Sequence, residues 1–307
     1  MNPYDVLIVG GGPAGLTAAI YAGRAQLKVA LIERLMPGGQ VASTEWVENY
    51  PGFKDGIGGA ELMQQMEAQA KRFGLEILSD EVQDGEWSAH PKKLIGAGGT
   101  YFSKTAILAT GTAPRLLNVP GELEFKGRGV SYCATCDGPF FKEKDVVVIG
   151  GGNSGIQESL YLSRFVRSIQ LVEILGHLSA EKILQERVLQ NPKFSFLLGT
   201  RVLSINGKQK VESVTVQDTR SGQIRQISGD GVFIWVGLQP NARFLEGKLT
   251  LNPWGYIQTD EHMETSVSGV YAAGDVRAKG IRQITTAVND GTVAAESAVQ
   301  HLETMNP

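Results

Sequence analysis

The chain has two cysteines in 307 residues, Cys133 and Cys136, and four histidines, His90, His177, His262 and His301. None of those histidines stands at ligand spacing from the thiols, so a tetrahedral zinc site finds too few ligands, and no metal is expected. A structural disulfide is an equally poor reading, because a loop this short constrains little of the unfolded chain. No run approaches the roughly 20 apolar residues that cross a bilayer. The start, Met1-Asn2-Pro3-Tyr4-Asp5, shows no basic stretch followed by an apolar one, so no signal peptide is expected. A net charge of −3 gives no electrostatic footprint for nucleic acid. The expectation is a soluble, cytoplasmic protein with neither nucleic-acid nor membrane partners.

Glycine is what the chain has in excess, 38 residues, much of it clustered at the ends of apolar runs. The run Val6-Leu7-Ile8-Val9 leads into Gly10-x-Gly12-x-x-Gly15 and a helical stretch, Leu16 to Ala22. A second strand, Lys28 to Ile32, ends in Glu33, eighteen residues beyond Gly15. Glycines permit the tight turn and a close approach of pyrophosphate, a helix N-terminus meets the phosphates, and a carboxylate reads ribose hydroxyls. The pattern repeats: a strand from Asp145 to Ile149, then Gly150, Gly152 and Gly155, a helix over about 154–165, and a strand from Ser168 ending in Glu173, again eighteen residues on. Leu108-Ala109-Thr110-Gly111 reads as a strand-turn closing a βαβ unit. Tyr271-Ala272-Ala273-Gly274-Asp275 reads as another strand end, with a helix to follow over 286–295. The fold class is α/β with two Rossmann-like dinucleotide-binding domains, a count the length supports.

Cys133 and Cys136 have no other thiol to react with. Such spacing lowers one thiol's pKa and makes the thiolate, which points to a redox-active pair. Asp137, next in the chain, reads either as a proton shuttle for a departing thiolate or as a turn residue of Asp137-Gly138-Pro139.

Together these motifs resemble the low-molecular-weight thioredoxin reductases: the Gly10–Gly15 turn, Ala109-Thr110-Gly111, Cys133-Ala134-Thr135-Cys136-Asp137, Gly274-Asp275, and Arg282-Gln283-Ile284 before a helix. Gly38-Gly39-Gln40 and Glu48-Asn49-Tyr50-Pro51-Gly52 match the same family, in the same order along nearly the whole chain. The resemblance implies a homodimeric flavoprotein with an FAD-binding domain made of 1–112 and 243–307. A nicotinamide-type domain, 115–240, would be inserted into it and carry the cysteines. It places the FAD pyrophosphate on Gly10, Gly12, Pro13, Ala14 and Gly15, and the adenosine ribose on Glu33. Gln40, Asn49, Gly111, Gly274, Asp275, Arg282, Gln283 and Ile284 would line the rest of the cofactor site. Cys136 would face the flavin, Cys133 would attack the disulfide of thioredoxin or a similar small dithiol protein, and Asp137 would move the proton. The inserted domain would rotate to serve both ends.

The second nucleotide site (Gly150, Gly152, Gly155, Glu173) departs from the family. Members that use NADPH carry His-Arg-Arg at the end of this strand and a further Arg beyond; here the three cationic positions are Ile174, Leu175 and Ser179, and Glu173 adds repulsion toward a 2′-phosphate. NADPH is therefore disfavoured as donor. The chain resembles the atypical members that lack the arginine motif, such as the ferredoxin-dependent flavin thioredoxin reductases. A ferredoxin or other donor is the favoured reading, with Lys126, Arg128, Lys142, Lys144, Arg164 and Arg167 as either a docking face or ordinary solvated surface. The alternatives are NADH, which the position of Glu173 favours and the bulk of Ile174 and Leu175 opposes, and an FAD-dependent dithiol oxidase using oxygen. Trp235 reads as filling space left by a missing nicotinamide, or as a core aromatic.

Overall fold

The run Val6-Leu7-Ile8-Val9 has no polar face, so as a strand it needs cover on both sides. In the computed structural model, which describes residues 3–305, all four side chains are buried at the centre of a covered sheet. The chain divides into two compact units, Met1–Ala113 with Gln239–Pro307, and Pro114–Leu238.

The first unit begins β1 (Tyr4–Val9), α1 (Pro13–Arg24), β2 (Val29–Glu33), α2 (Gly59–Arg72) and β3 (Glu76–Ser79). It continues through β4 (Val82–Glu86), β5 (Lys92–Gly96) and β6 (Thr100–Leu108) to β7 (Thr112–Pro114), on which the chain leaves. The sheet order is β3-β2-β1-β6-β5-β4. β6 lies parallel to β1 and antiparallel to β5. The strand ending at Leu108 is thus reached through a hairpin, and no βαβ unit closes there as the sequence had implied. The residues between, broken by Gly85, Pro91, Gly96, Gly98 and Gly99, never offer the uninterrupted length a crossover helix needs.

The second unit holds β8 (Val130–Ser131), α3 (Ala134–Asp137), β9 (Asp145–Ile149), α4 (Asn153–Leu162), β10 (Ser168–Glu173), α5 (Lys182–Leu189) and β11 (Phe194–Leu198). It then adds β12 (Thr200–Gly207), β13 (Val211–Asp218), β14 (Ile224–Ser228) and β15 (Gly231–Ile234). A parallel sheet β11-β10-β9-β15-β8 and an antiparallel meander β12-β13-β14 result. β9 shows why its apolar run is continuous: Val146 and Val148 pack with Ile156, Leu162 and Leu184 of the helices, while Val147 and Ile149 pack with Val214, Val216 and Ile227 of the meander. Back in the first unit come β16 (Leu238–Pro240), β17 (Val270–Ala272) and α6 (Ile284–Met305). β17 extends the main sheet beside β6, and α6 runs far past the stretch its sequence had marked, because Ala294, Ala295, Ala298 and Leu302 continue its buried face.

Candidate functional site

β1 passes into Gly10 at φ 104°, a backbone that L side chains rarely adopt, and a Cβ there would lie 2.4 Å from the Ala109 carbonyl oxygen. Gly12 precedes α1, and Pro13 opens it, where a missing N–H leaves nothing unpaired. A Cβ on Gly12 would meet nothing within 4 Å, so a ligand can come up against bare backbone. On Gly15 it would sit 1.9 Å from the Gly10 oxygen, which holds helix and strand together. Glu33 closes β2 and accepts from the amide of Gly11 at 2.8 Å and that of Leu35 at 3.2 Å, one on each oxygen. A carboxylate has about four lone-pair sites, so these two bonds leave it able to take hydroxyl donors.

The other residues assigned to the cofactor lie in the same unit. The Gln40 amide donates to the Thr112 carbonyl at 2.7 Å and hydroxyl at 2.8 Å, beside Gly111. Asn49 donates to Gln283 at 3.3 Å. Arg282 lies 4.0 Å over the Tyr256 ring, and Ile284 opens α6. Gly274 packs so close that a Cβ on it would be 2.9 Å from the Cβ of Ala14. Next to it, Asp275 Oδ1 is shut off from solvent with no hydrogen-bond partner, although the Lys279 ammonium stands 3.5 Å away. Burial pushes this carboxyl up from its ordinary range, against the pull of Lys279 and Arg282. An orphaned carboxylate oxygen, an open glycine turn and a carboxylate with acceptor sites to spare in one unit fit FAD.

Sequence reasoning missed what holds Asp275 in place. Asp290, 3% exposed on α6, accepts from Gly274 N at 3.1 Å, Arg277 at 3.0 Å and Lys279 at 2.9 Å. The signal was present: Asp290 interrupts the stripe of Ala287, Gly291, Ala294 and Ala298 at helical spacing.

The second turn repeats the first. Gly150 has φ 115°, a Cβ on Gly155 would lie 2.2 Å from the Gly150 oxygen, and Gly152 stays open apart from Ser179 Oγ at 3.7 Å. Glu173 accepts from Gly151 N at 2.5 Å and Leu175 N at 2.9 Å. Ile174, Leu175, His177 and Ser179 beyond it are exposed. Trp235 follows β15, half-buried, stacked on Phe233 at 5.7 Å and donating to the Tyr132 carbonyl at 3.2 Å, the position of a core aromatic.

Cys133 and Cys136 are joined as a disulfide. Cys133 caps α3, its Sγ accepting from Cys136 N at 3.2 Å; Cys133 is half-buried and Cys136 exposed. Ser131 Oγ donates to Asp137 Oδ2 at 2.6 Å and accepts from Cys133 N at 3.1 Å. Asp137 is thereby tied to the strand that enters the cysteine pair, a contact no sequence motif announced. The same entry is anchored by Tyr132, whose hydroxyl donates to the buried Glu122 at 2.8 Å; burial and that carboxylate push the phenol up.

Residues 4–291 match the family model described as pyridine nucleotide-disulphide oxidoreductase. The thioredoxin reductase of Bacillus subtilis is 44% identical over 301 residues, covering 98% of this chain and 95% of that protein. The thioredoxin reductase of Lactococcus lactis superposes with a TM-score of 0.96 at 41% identity, covering 98% and 99%. A ferredoxin-flavin thioredoxin reductase from Clostridium acetobutylicum is 30% identical over 98% and 99%, with a TM-score of 0.54. By these matches the chain belongs to the thioredoxin reductases, flavin disulfide oxidoreductases of the pyridine nucleotide-disulphide oxidoreductase family whose members bind FAD.

Proposed function

We propose that this chain reduces the disulfide of a thioredoxin-like protein through Cys133 and Cys136, with electrons that do not come from NADPH. The observation that carries the reading is the Cys133–Cys136 disulfide, with the Cys136 amide directed at Cys133 Sγ and Asp137 tethered beside it by Ser131. The first unit would hold FAD, with Gly10, Gly12, Pro13, Ala14 and Gly15 at its pyrophosphate, Glu33 at its ribose, and Gln40, Asn49, Gly111, Gly274, Asp275, Arg282, Gln283 and Ile284 along the rest. Bound there, FAD supplies a two-electron couple able to reduce the cysteine pair.

Once the pair is a dithiol, the chain's own groups account for the rest. The Cys136 amide stabilises a thiolate on Cys133. That thiolate attacks one sulfur of the partner disulfide, and Asp137 supplies a proton to the sulfur that leaves. Cys136 then attacks Cys133 Sγ, which releases the partner as a dithiol and re-forms the disulfide. The homodimer and the cytoplasmic setting expected from the sequence complete the proposal.

The donor is read from the end of β10. A hydrogen bond to a charged group contributes about 1.5–3 kcal/mol, so three cationic positions occupied by Ile174, Leu175 and Ser179 remove on the order of a hundredfold or more in affinity for a 2′-phosphate. A ferredoxin-type carrier is supported by the similarity to the Clostridium acetobutylicum protein and by exposed Lys126, Arg128, Lys142 and Arg164 on the unit that bears the cysteines. Arg167 is committed to an ion pair with Asp145. NADH is supported by the carboxylate of Glu173. An anaerobic titration of the flavin absorbance with NADPH, NADH, photoreduced ferredoxin and a small dithiol separates these. No bleaching by NADPH and thioredoxin reduction with a competent donor are expected. Rapid bleaching by NADPH overturns the donor reading, and bleaching by dithiol with peroxide release in air points to the oxidase.

A further inference from the structure

We propose that Tyr132 is a positioning residue for Cys133, held at its hydroxyl from the segment by which the chain enters the second unit and at its carbonyl from the segment by which it leaves. The proposal rests on the reading above that Cys133 is the attacking thiolate, and it names what aims that sulfur.

A peptide group is planar, so holding its oxygen and its N–H fixes the whole plane. The peptide between Tyr132 and Cys133 is held in this way. Its oxygen accepts from Trp235 Nε1 at 3.2 Å, and its N–H donates to Ser131 Oγ at 3.1 Å. The plane leaves Cys133 at φ −139° and ψ 108°, with its Sγ 3.2 Å from the amide nitrogen of Cys136 and 3.3 Å from Thr135 Oγ1. Both groups can donate, so a thiolate on Cys133 is stabilised as long as Sγ stays in that place. Tyr132 carries a third restraint in its hydroxyl, which donates to Glu122 Oε1 at 2.8 Å.

Those restraints lead to the two crossings. Glu122 is 1% exposed, and its oxygens also accept from Leu117 N at 2.9 Å and Asn118 N at 2.7 Å. A buried carboxylate is costly unless it is hydrogen-bonded, and here its donors are the backbone just after β7 and the phenol next to the redox pair. Asn118 takes φ 58°, a conformation few side chains adopt, and the bond from its amide holds it there. On the way out, Trp235 follows β15 and precedes Gly237, whose φ is 110° and whose oxygen accepts from Arg115 N at 3.0 Å. Entry and exit are thus bonded to each other and, separately, to opposite ends of Tyr132. Lys126, 5.8 Å over the Tyr132 ring, brings a further charge to this residue. A backbone change at either crossing is passed to the peptide that sets Cys133.

The test uses the FAD-loaded full chain. Tyr132→Phe removes only the hydroxyl, and Trp235→Phe removes the indole donor while keeping a ring against Phe233. In a Cys136→Ser background Cys133 is the chain's one thiol, and its alkylation rate against pH reports the thiolate directly. The midpoint should rise by about one pH unit in Tyr132→Phe and about half a unit in Trp235→Phe, as expected for losing a charge-assisted and a neutral hydrogen bond. With both cysteines present, the pair equilibrated against glutathione should shift toward the disulfide by up to about tenfold, roughly 30 mV for this two-electron couple. The kcat for thioredoxin reduction should fall with KM little changed. Lower melting temperatures with the midpoint and the redox equilibrium in place would show a merely structural role and overturn the proposal. A midpoint that moves in one of two folded variants alone overturns it as well, because the other segment is then not coupled. Trp235→Phe spares Glu122, so an unmoved midpoint there overturns the proposal even where Tyr132→Phe does not fold. Midpoints that shift as expected in protein that reduces no thioredoxin leave the proposal standing and overturn the reading on which it rests.

Discussion

Ser131 shows how much of this chemistry depends on one unremarked hydroxyl. It spans Asp137 and the Cys133 amide, and removing a donor from a charged acceptor costs about 1.5–3 kcal/mol. Ser131→Ala should therefore lower thioredoxin-coupled turnover roughly tenfold or more and lower the thermal midpoint as well, and Ser131→Thr should restore most of both. Asp275 carries the opposite burden. Its folded pKa is raised, so between the unfolded value of 3.8 and that raised value the folded state binds more protons, and stability falls as pH climbs through the window. Asp275→Asn should raise the melting temperature of flavin-free protein at pH 7, with the gain shrinking as pH falls toward 3.8, and should weaken FAD retention. Scanning calorimetry across pH and the flavin content of purified protein check the two halves. Asp290 is structural support for the same turn: Asp290→Ala removes the carboxylate shared by Arg277 and Lys279, leaving Lys279 to Asp275 and Arg277 to Thr259, and should cost about 3 kcal/mol in chemical denaturation.

At the scale of elements, the periodic segments were legible and the irregular ones were not. Both glycine turns, with the strand before and the helix after, follow from apolar runs meeting residues that alone tolerate the turn. The second of those helices ends at Leu162, earlier than the sequence implied, and the β4–β5 hairpin went unread because its strands are short and broken by glycine. The close approach of α1 and α6 is a packing fact: a Cβ on Gly291 would lie 2.2 Å from the Ala14 oxygen. Gly291→Val should force the helices apart at about 1–3 kcal/mol, and because Ala14 belongs to the turn proposed to hold FAD, the variant should lose flavin on gel filtration more readily than the parent.

For the molecule as a whole, the chain enters the second unit and leaves it side by side. The crossing strands β7 and β16 pair with each other, and Arg115 N donates to Gly237 O at 3.0 Å. Neighbouring ends and a core of its own predict that an isolated 114–238 fragment folds alone. It should melt cooperatively by circular dichroism and titrate no free thiol until reduced; a non-cooperative melt would show that the unit needs the rest of the chain.

Chain distance decided what the sequence determined by itself. The cysteine pair, the two turns and the carboxylates eighteen residues beyond each last glycine are local patterns, fixed by covalent spacing and by the few residues able to take those backbone angles. Tertiary structure alone decided which polar groups are buried and with whom. Asn49 meets Gln283 across 234 residues of chain, Asp290 holds Gly274, and Asp275 keeps one oxygen without a hydrogen bond. Burial is a property of packing between distant segments, so no window of sequence contains it.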